Sequence, residues 1–165
     1  MDRKLIISIS TLSFLILFYF YDSTKQSNYK DRYINIFNFD HSQISKLIIL
    51  KNNDGIEIER LDSTWKINGQ DSLVIKPSSI DKFFDETLTA KINSIAASKS
   101  ATDLSIYSLD STKGVNLILI DESGSTLSNV IFGLSADNYL SNYYRNFDSN
   151  MVYRTNKNVI NFLTT

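Results

Sequence analysis

The stretch from Leu5 to Tyr21, LIISISTLSFLILFYFY, contains no charge, no proline and no glycine. As an α-helix it would be roughly 25 Å long at about 1.5 Å per residue, close to the ~30 Å hydrocarbon core of a bilayer. A buried core helix normally keeps a polar stripe. Here the only polar groups before the closing aromatics are the hydroxyls of Ser8, Ser10, Thr11 and Ser13. Hydroxyls can bond back to carbonyls of the preceding turn and are tolerated in lipid. A cleavable signal peptide needs small residues after the apolar run, whereas this run ends in Phe18-Tyr19-Phe20-Tyr21, which suits the aromatic belt of a membrane interface. The expectation is an uncleaved signal-anchor over residues 5–21. Arg3 and Lys4 precede it, and the positive-inside rule keeps residues 1–4 cytoplasmic. The chain beyond then lies outside the cytoplasm, in an inner-membrane protein with a single pass.

Residues 22–32 are polar and aperiodic and read as a tether, leaving 33–165 for one extracytoplasmic domain. A net charge of −1 gives no electrostatic footprint for nucleic acid. With no cysteine there is neither disulfide nor thiol chemistry, and with one histidine as well, zinc is not expected.

Within 33–165 the dominant period is two. Tyr33 to Phe39 reads as an edge segment or loop. Ile44 to Lys51 is apolar on both faces, which predicts a central strand. Asn53-Asp54-Gly55 then signals a hairpin. Ile56 to Leu61 alternates Ile56 and Ile58 against Glu57 and Glu59, and Trp65-Lys66-Ile67 forms a third strand closed by Asn68-Gly69. Pro77-Ser78-Ser79 opens a helix, with Ser78 or Ser79 as its cap and Asp81 placed as in a capping box. Ile80, Phe83, Phe84 and Leu88 share its apolar face. Ile92 to Ala97 reads as a strand, and a helical turn ends at Tyr107-Ser108-Leu109-Asp110. Val115 to Asp121, the turn Glu122 to Ser125, and Leu127 to Phe132 form a second hairpin. Tyr139 to Arg145 and Asn150 to Arg154 form a third, and Thr155 is placed to cap a short final helix carrying Val159, Ile160, Phe162 and Leu163. The expected fold class is α+β: a transmembrane helix, then an antiparallel β-meander domain with one helix packed across the sheet and a short helix at its end.

Residues with chemical potential are few. His41 sits between Asp40 and Ser42, but sequence neighbours do not assemble a triad, so a surface loop histidine is expected. Ser63-Thr64-Trp65-Lys66 matches S-x-x-K, but on a strand a spacing of three places the two side chains on opposite faces. Glu57 and Glu59 share a face and read as its solvated side. No catalytic, cofactor-binding or metal-binding residues are assigned, and no enzymatic activity is expected. Trp65, Tyr144, Arg145 and Tyr153 are candidates for a partner surface, because Trp, Tyr and Arg dominate binding hot spots. The alternative for these four is core and cross-strand packing.

One order of signals is distinctive: Ile44-Ser45-Lys46-Leu47, Gly55 to Arg60, Trp65-Lys66-Ile67, Ser79-Ile80, Tyr107 to Asp110, Val115 to Ile120, Ile131-Phe132-Gly133, Tyr143-Tyr144-Arg145 and Val152-Tyr153-Arg154. This order, spanning roughly 37–154, resembles the domain-of-unknown-function family numbered forty-three forty. Those are membrane-anchored extracytoplasmic domains found with gliding-motility-type ABC transporters and their auxiliary subunits. Two departures stand out. Ser108 occupies a position where the family pattern usually has glycine, and one module is expected here where many members carry two. The resemblance implies no catalytic residue. It implies a non-catalytic accessory or scaffolding protein beside an ABC permease or a gliding-motality or export machine. A pilin-like envelope subunit is the alternative, although Leu5, Ile6 and Ile7 stand where a pilin helix carries its glutamate. An envelope enzyme is the third reading.

Overall fold

A computed structural model of the chain describes residues 11–19, 33–52, 54–70, 73–97, 103–134 and 139–163. The chain divides into two units, Met1–Arg32 and Tyr33–Thr165. In the first, residues 11–19 are helical and exposed. The rest of the apolar stretch 5–21, residues 1–4 and the expected tether 22–32 lie outside the described residues. Among the described residues no helix is long and apolar enough to cross a membrane.

The second unit is α+β. Its described residues form one antiparallel sheet of ten strands: β1 (Ile34–Asn35), β2 (Lys46–Lys51), β3 (Asp54–Leu61), β4 (Thr64–Ile67), β5 (Val74–Ile75), β6 (Lys91–Ala97), β7 (Val115–Ile120), β8 (Thr126–Gly133), β9 (Tyr143–Asn146) and β10 (Val152–Thr155). Their spatial order is β1-β6-β10-β9-β8-β7-β2-β3-β4-β5. Two meanders, β2 to β5 and β7 to β10, thus join back to back where β2 pairs β7, with Leu47 opposite Leu119 and Ile49 opposite Leu117. Each meander is followed in the chain by a helix: a long one, Pro77–Leu88, and a short one, Ile160–Leu163. β6 leaves the first meander to pair with β10 of the second.

The pleat sends alternate side chains to one face. Leu47, Val115, Leu117, Leu119, Val130, Phe132 and Tyr144 form the core there with Ile80 and Phe84 of the long helix and Val159, Ile160 and Leu163 from the short-helix region. Across the opposite face run the 3-10 turn Leu104–Tyr107 and the residues after it, covering a smaller cluster of Leu109, Ile131 and Val152.

Three local expectations are corrected. Lys51 pairs with Asp54, so the first reversal precedes Asp54-Gly55, and Asn52 takes the left-handed conformation at φ 49°. Asparagine tolerates that region because its short amide bonds locally. The long helix begins at Pro77, with Lys76 as N-cap and no side-chain cap from Ser78 or Ser79. Proline at the first helical position needs no such partner, since its missing N–H would be an orphan anyway. Thr155 does not cap the final helix. It ends β10, and its one hydroxyl proton is shared between the carbonyls of Asn142 and Lys157, at 3.1 and 2.7 Å. The Asn142 side chain takes over instead, its Oδ1 accepting from the N–H groups of Val159 and Ile160, at 2.6 and 3.2 Å.

Candidate functional site

On the core face, a helix of 12 residues is only about 18 Å long, whereas ten strands about 4.8 Å apart span far more. The helix therefore leaves part of the apolar face uncovered. The long helix anchors itself through Phe84, whose ring lies 5.4 Å from that of Trp65 and 5.3 Å from that of Phe83. Beside it opens a cleft of about 430 Å³. Leu47 and Ile49 of β2 and Ile56 and Ile58 of β3 line its sheet wall, while Ile80 and Phe83 of the long helix line the other. Phe162 and Leu163 of the short helix also reach it, and the cross-strand neighbours Lys51 and Asp54 supply its charge. This size lies at the small end of the range for ligand sites, which are concave and mostly apolar with few polar groups. Such a lining suits an apolar group.

The candidate partner residues do not form one surface. Trp65 is 9 % and Tyr144 3 % exposed, both in the core. Tyr153 packs against Tyr144 with ring centroids 5.9 Å apart. Burial pushes the Tyr144 phenol up to about 12, and its hydroxyl donates to Asn146 Oδ1 at 2.6 Å. Arg145, the next residue along β9, projects to the opposite face, as the two-residue period requires. Its Nη1 donates to the carbonyls of Asn146, Phe147 and Ser149, at 3.2, 2.7 and 3.3 Å. Burial pulls the guanidinium below its ordinary value, and Arg145 lines a second pocket, together with Lys51 and Asp110.

The other singled-out residues hold structural places. His41 opens a 3-10 turn capped by Asp40; its imidazole stacks on Phe84 at 6.0 Å and its side chain is 61 % exposed. Glu57 and Glu59 flank Lys46, at 2.7 and 3.8 Å. Lys66 lies on β4, with Ser63 in the tight turn before it. Among the described residues no group of three or more His, Cys, Asp or Glu could hold a metal ion.

Asn116 and Asn142 were not singled out by sequence reasoning, and Asp110 entered it only as the last residue of the pattern Tyr107 to Asp110. A signal existed for Asn116: an amide inside Val115 to Ile120 contradicts an otherwise apolar run, and such local conflicts cluster at functional sites. Asn142 carries no comparable mark, because its partners Val159 and Ile160 are brought to it by the fold; Asp110 bonds locally to Thr112 and Lys113, and only its place beside Asn116 and Arg145 comes from the fold. No known protein family, no curated protein and no solved structure matches this chain.

Proposed function

We propose that this chain is a membrane-anchored, non-catalytic accessory subunit that uses its domain to hold an apolar segment of a membrane-protein partner. The single observation that carries the reading is the cleft of about 430 Å³, walled by aliphatic and aromatic side chains. The uncharged stretch from Leu5 to Tyr21 supports the anchor, and the division of the chain into the units Met1–Arg32 and Tyr33–Thr165 fits a domain distinct from it. The order of signals over 37–154 resembles family forty-three forty. On that resemblance the partner is an ABC-type permease or its auxiliary subunit, in a transport, export or gliding-motility machine of the inner membrane.

The test is retention of an ABC-type permease by the tagged full-length chain after membranes are solubilised. The wild type should retain it and Ile56→Asp should not. Ile56 is 45 % exposed at the cleft, so a carboxylate there spoils the apolar wall without entering the core. Equal retention by both would refute the role of the cleft. A reporter fused after Thr165 that works only in the cytoplasm would refute the anchor.

A further inference from the structure

The turn between β4 and β5 holds the one Asn-Gly pair in the chain, Asn68-Gly69, and both residues are exposed. The Asn68 N–H donates to the Glu57 carbonyl at 2.8 Å, and the Gln70 N–H to that of Ile67 at 3.1 Å. These bonds close the turn and leave the Gly69 N–H out. Gly69 takes φ 77°, a region that glycine enters without steric cost. A Cβ added to it would meet nothing within 4 Å.

An asparagine amide carbon is an electrophile, and the backbone nitrogen of the next residue is the nucleophile nearest to it along the chain. A side chain on that next residue crowds the approach, and glycine has none. The open space around Gly69 admits both the five-membered ring that results and the water that opens it. Asn93-Ser94 makes the contrast. It is exposed as well, but its serine carries a Cβ and is held in β6 opposite Arg154.

We propose that Asn68 is a site of self-modification, converted through a succinimide to a mixture of aspartate and isoaspartate. The Gly69 amide gives its proton to hydroxide and its nitrogen bonds to Asn68 Cγ. The Cγ–Nδ2 bond breaks, and Nδ2 leaves as ammonia with a proton from water. Water then adds to either carbonyl of the ring. One opening gives aspartate; the other gives isoaspartate, whose backbone is one methylene longer. Either product weakens this end of the sheet. The Asn68 amide donates to the Glu57 carboxylate, which also takes Lys46 at 2.7 Å, and the product sets a second carboxylate against it. β5, last in the sheet, pairs with β4 at Trp65–Ile75 and Lys66–Val74. The altered turn therefore loosens the strand that brings Ile75 to the cleft. The inference is independent of the anchor and of the partner proposed above.

Peptide mass spectrometry on the full-length chain, aged while folded in detergent at mildly alkaline pH, tests this. Asn68 should show the mass shift of an NH2 replaced by OH, split between two chromatographic peaks of equal mass, while Asn93 keeps its amide. The rate should rise with pH, because the attacking nitrogen must first lose its proton. Gly69→Asn places a Cβ beside that nitrogen, and asparagine tolerates positive φ, so the turn is kept; the half-time at Asn68 should lengthen severalfold. Asn68→Asp, which makes one product at once, should lower the urea midpoint below that of the fresh wild type. The proposal falls if Asn68 reacts only after urea has unfolded the chain, if Asn93 reacts first, or if Gly69→Asn reacts as fast as the wild type. An unchanged midpoint in Asn68→Asp would overturn the loosening of the sheet edge.

Discussion

A Cβ added to Gly133 would lie 2.1 Å from the carbonyl oxygen of Tyr107 and 2.7 Å from that of Ser108. Both contacts are with backbone, which cannot rotate away, and Gly133 closes β8 in the middle of the second meander. Gly133→Ala should therefore destabilise the domain by about 3 kcal/mol, at the upper end for overpacking, seen as a lowered urea midpoint. Its neighbour in this contact is strained in the other sense. Ser108 sits at φ 55°, in the left-handed region that costs an L-residue roughly 1–2 kcal/mol. Ser108→Gly should stabilise the domain by about 0.5–1 kcal/mol, seen as a raised midpoint, the relief being partly offset by the greater freedom of glycine in the unfolded chain. Gly133 and Ser108 both stood out in the sequence as pattern positions. That one is needed because of the other was not visible, since they meet only when the 3-10 turn crosses the sheet.

At the scale of elements, carboxylates close the turns and steady a hairpin. Asp121 Oδ1 accepts from the N–H groups of Ser123 and Ser125, both at 2.9 Å, and from the Ser123 hydroxyl at 2.7 Å. Those bonds, the Ser123 hydroxyl first, hold its carboxyl below the ordinary 3.8. The Thr112 hydroxyl does the same for Asp110 and the Ser105 hydroxyl for Asp103. Between β2 and β3, the hydrogen bond from Lys46 holds Glu57 below 4.5 and raises Lys46 above 10.5. A carboxylate lowered in the folded state contributes stability that is present above its unfolded value and lost as pH falls through the folded one. A raised lysine contributes below its unfolded value and loses it as pH rises through the folded one. The urea midpoint should thus be flat from about pH 4.5 to about 10 and fall on either side, the alkaline fall beginning where the unfolded chain releases the Tyr144 proton that the folded chain keeps up to about 12. Glu57→Gln should cost less than about 1 kcal/mol at pH 7, the worth of an exposed pair, and should soften both limbs. Asp121→Asn should soften only the acid limb. Limbs unchanged in both variants would count against these bonds.

For the molecule as a whole, the decisive pairing is β2 with β7. Leu47, Leu117 and Leu119 at that seam have no exposed surface, and they belong to one core with residues of both helices. Leu119→Ala should cost about 2–5 kcal/mol, transfer plus cavity. It should lower the whole domain and not one half. The fluorescence of Trp65, in the first meander, and the far-ultraviolet circular dichroism of the sheet should lose their midpoints together, although the mutation is in the second. Two separated transitions would show that the meanders fold independently.

The local grammar of the domain was legible in the residues themselves. Alternation placed Ile56 and Ile58 on one face against Glu57 and Glu59, Gly69 and Gly124 sat in turns expected of them, and Ile80, Phe83, Phe84 and Leu88 formed the packed side of a helix. The uncharged run from Leu5 to Tyr21 set the expectation of an anchor by the same kind of nearest-neighbour reasoning. Only the tertiary structure decided that two meanders share one sheet, that β6 crosses to β10, that Asn142 holds the amides of Val159 and Ile160, and that Asp110, Asn116 and Arg145 face one pocket. The physical reason is the range of the forces involved. Periodicity, turns and apolar runs are settled within a few residues. Which strand edges meet depends on closing long loops around a common core, and no short window of sequence contains that choice.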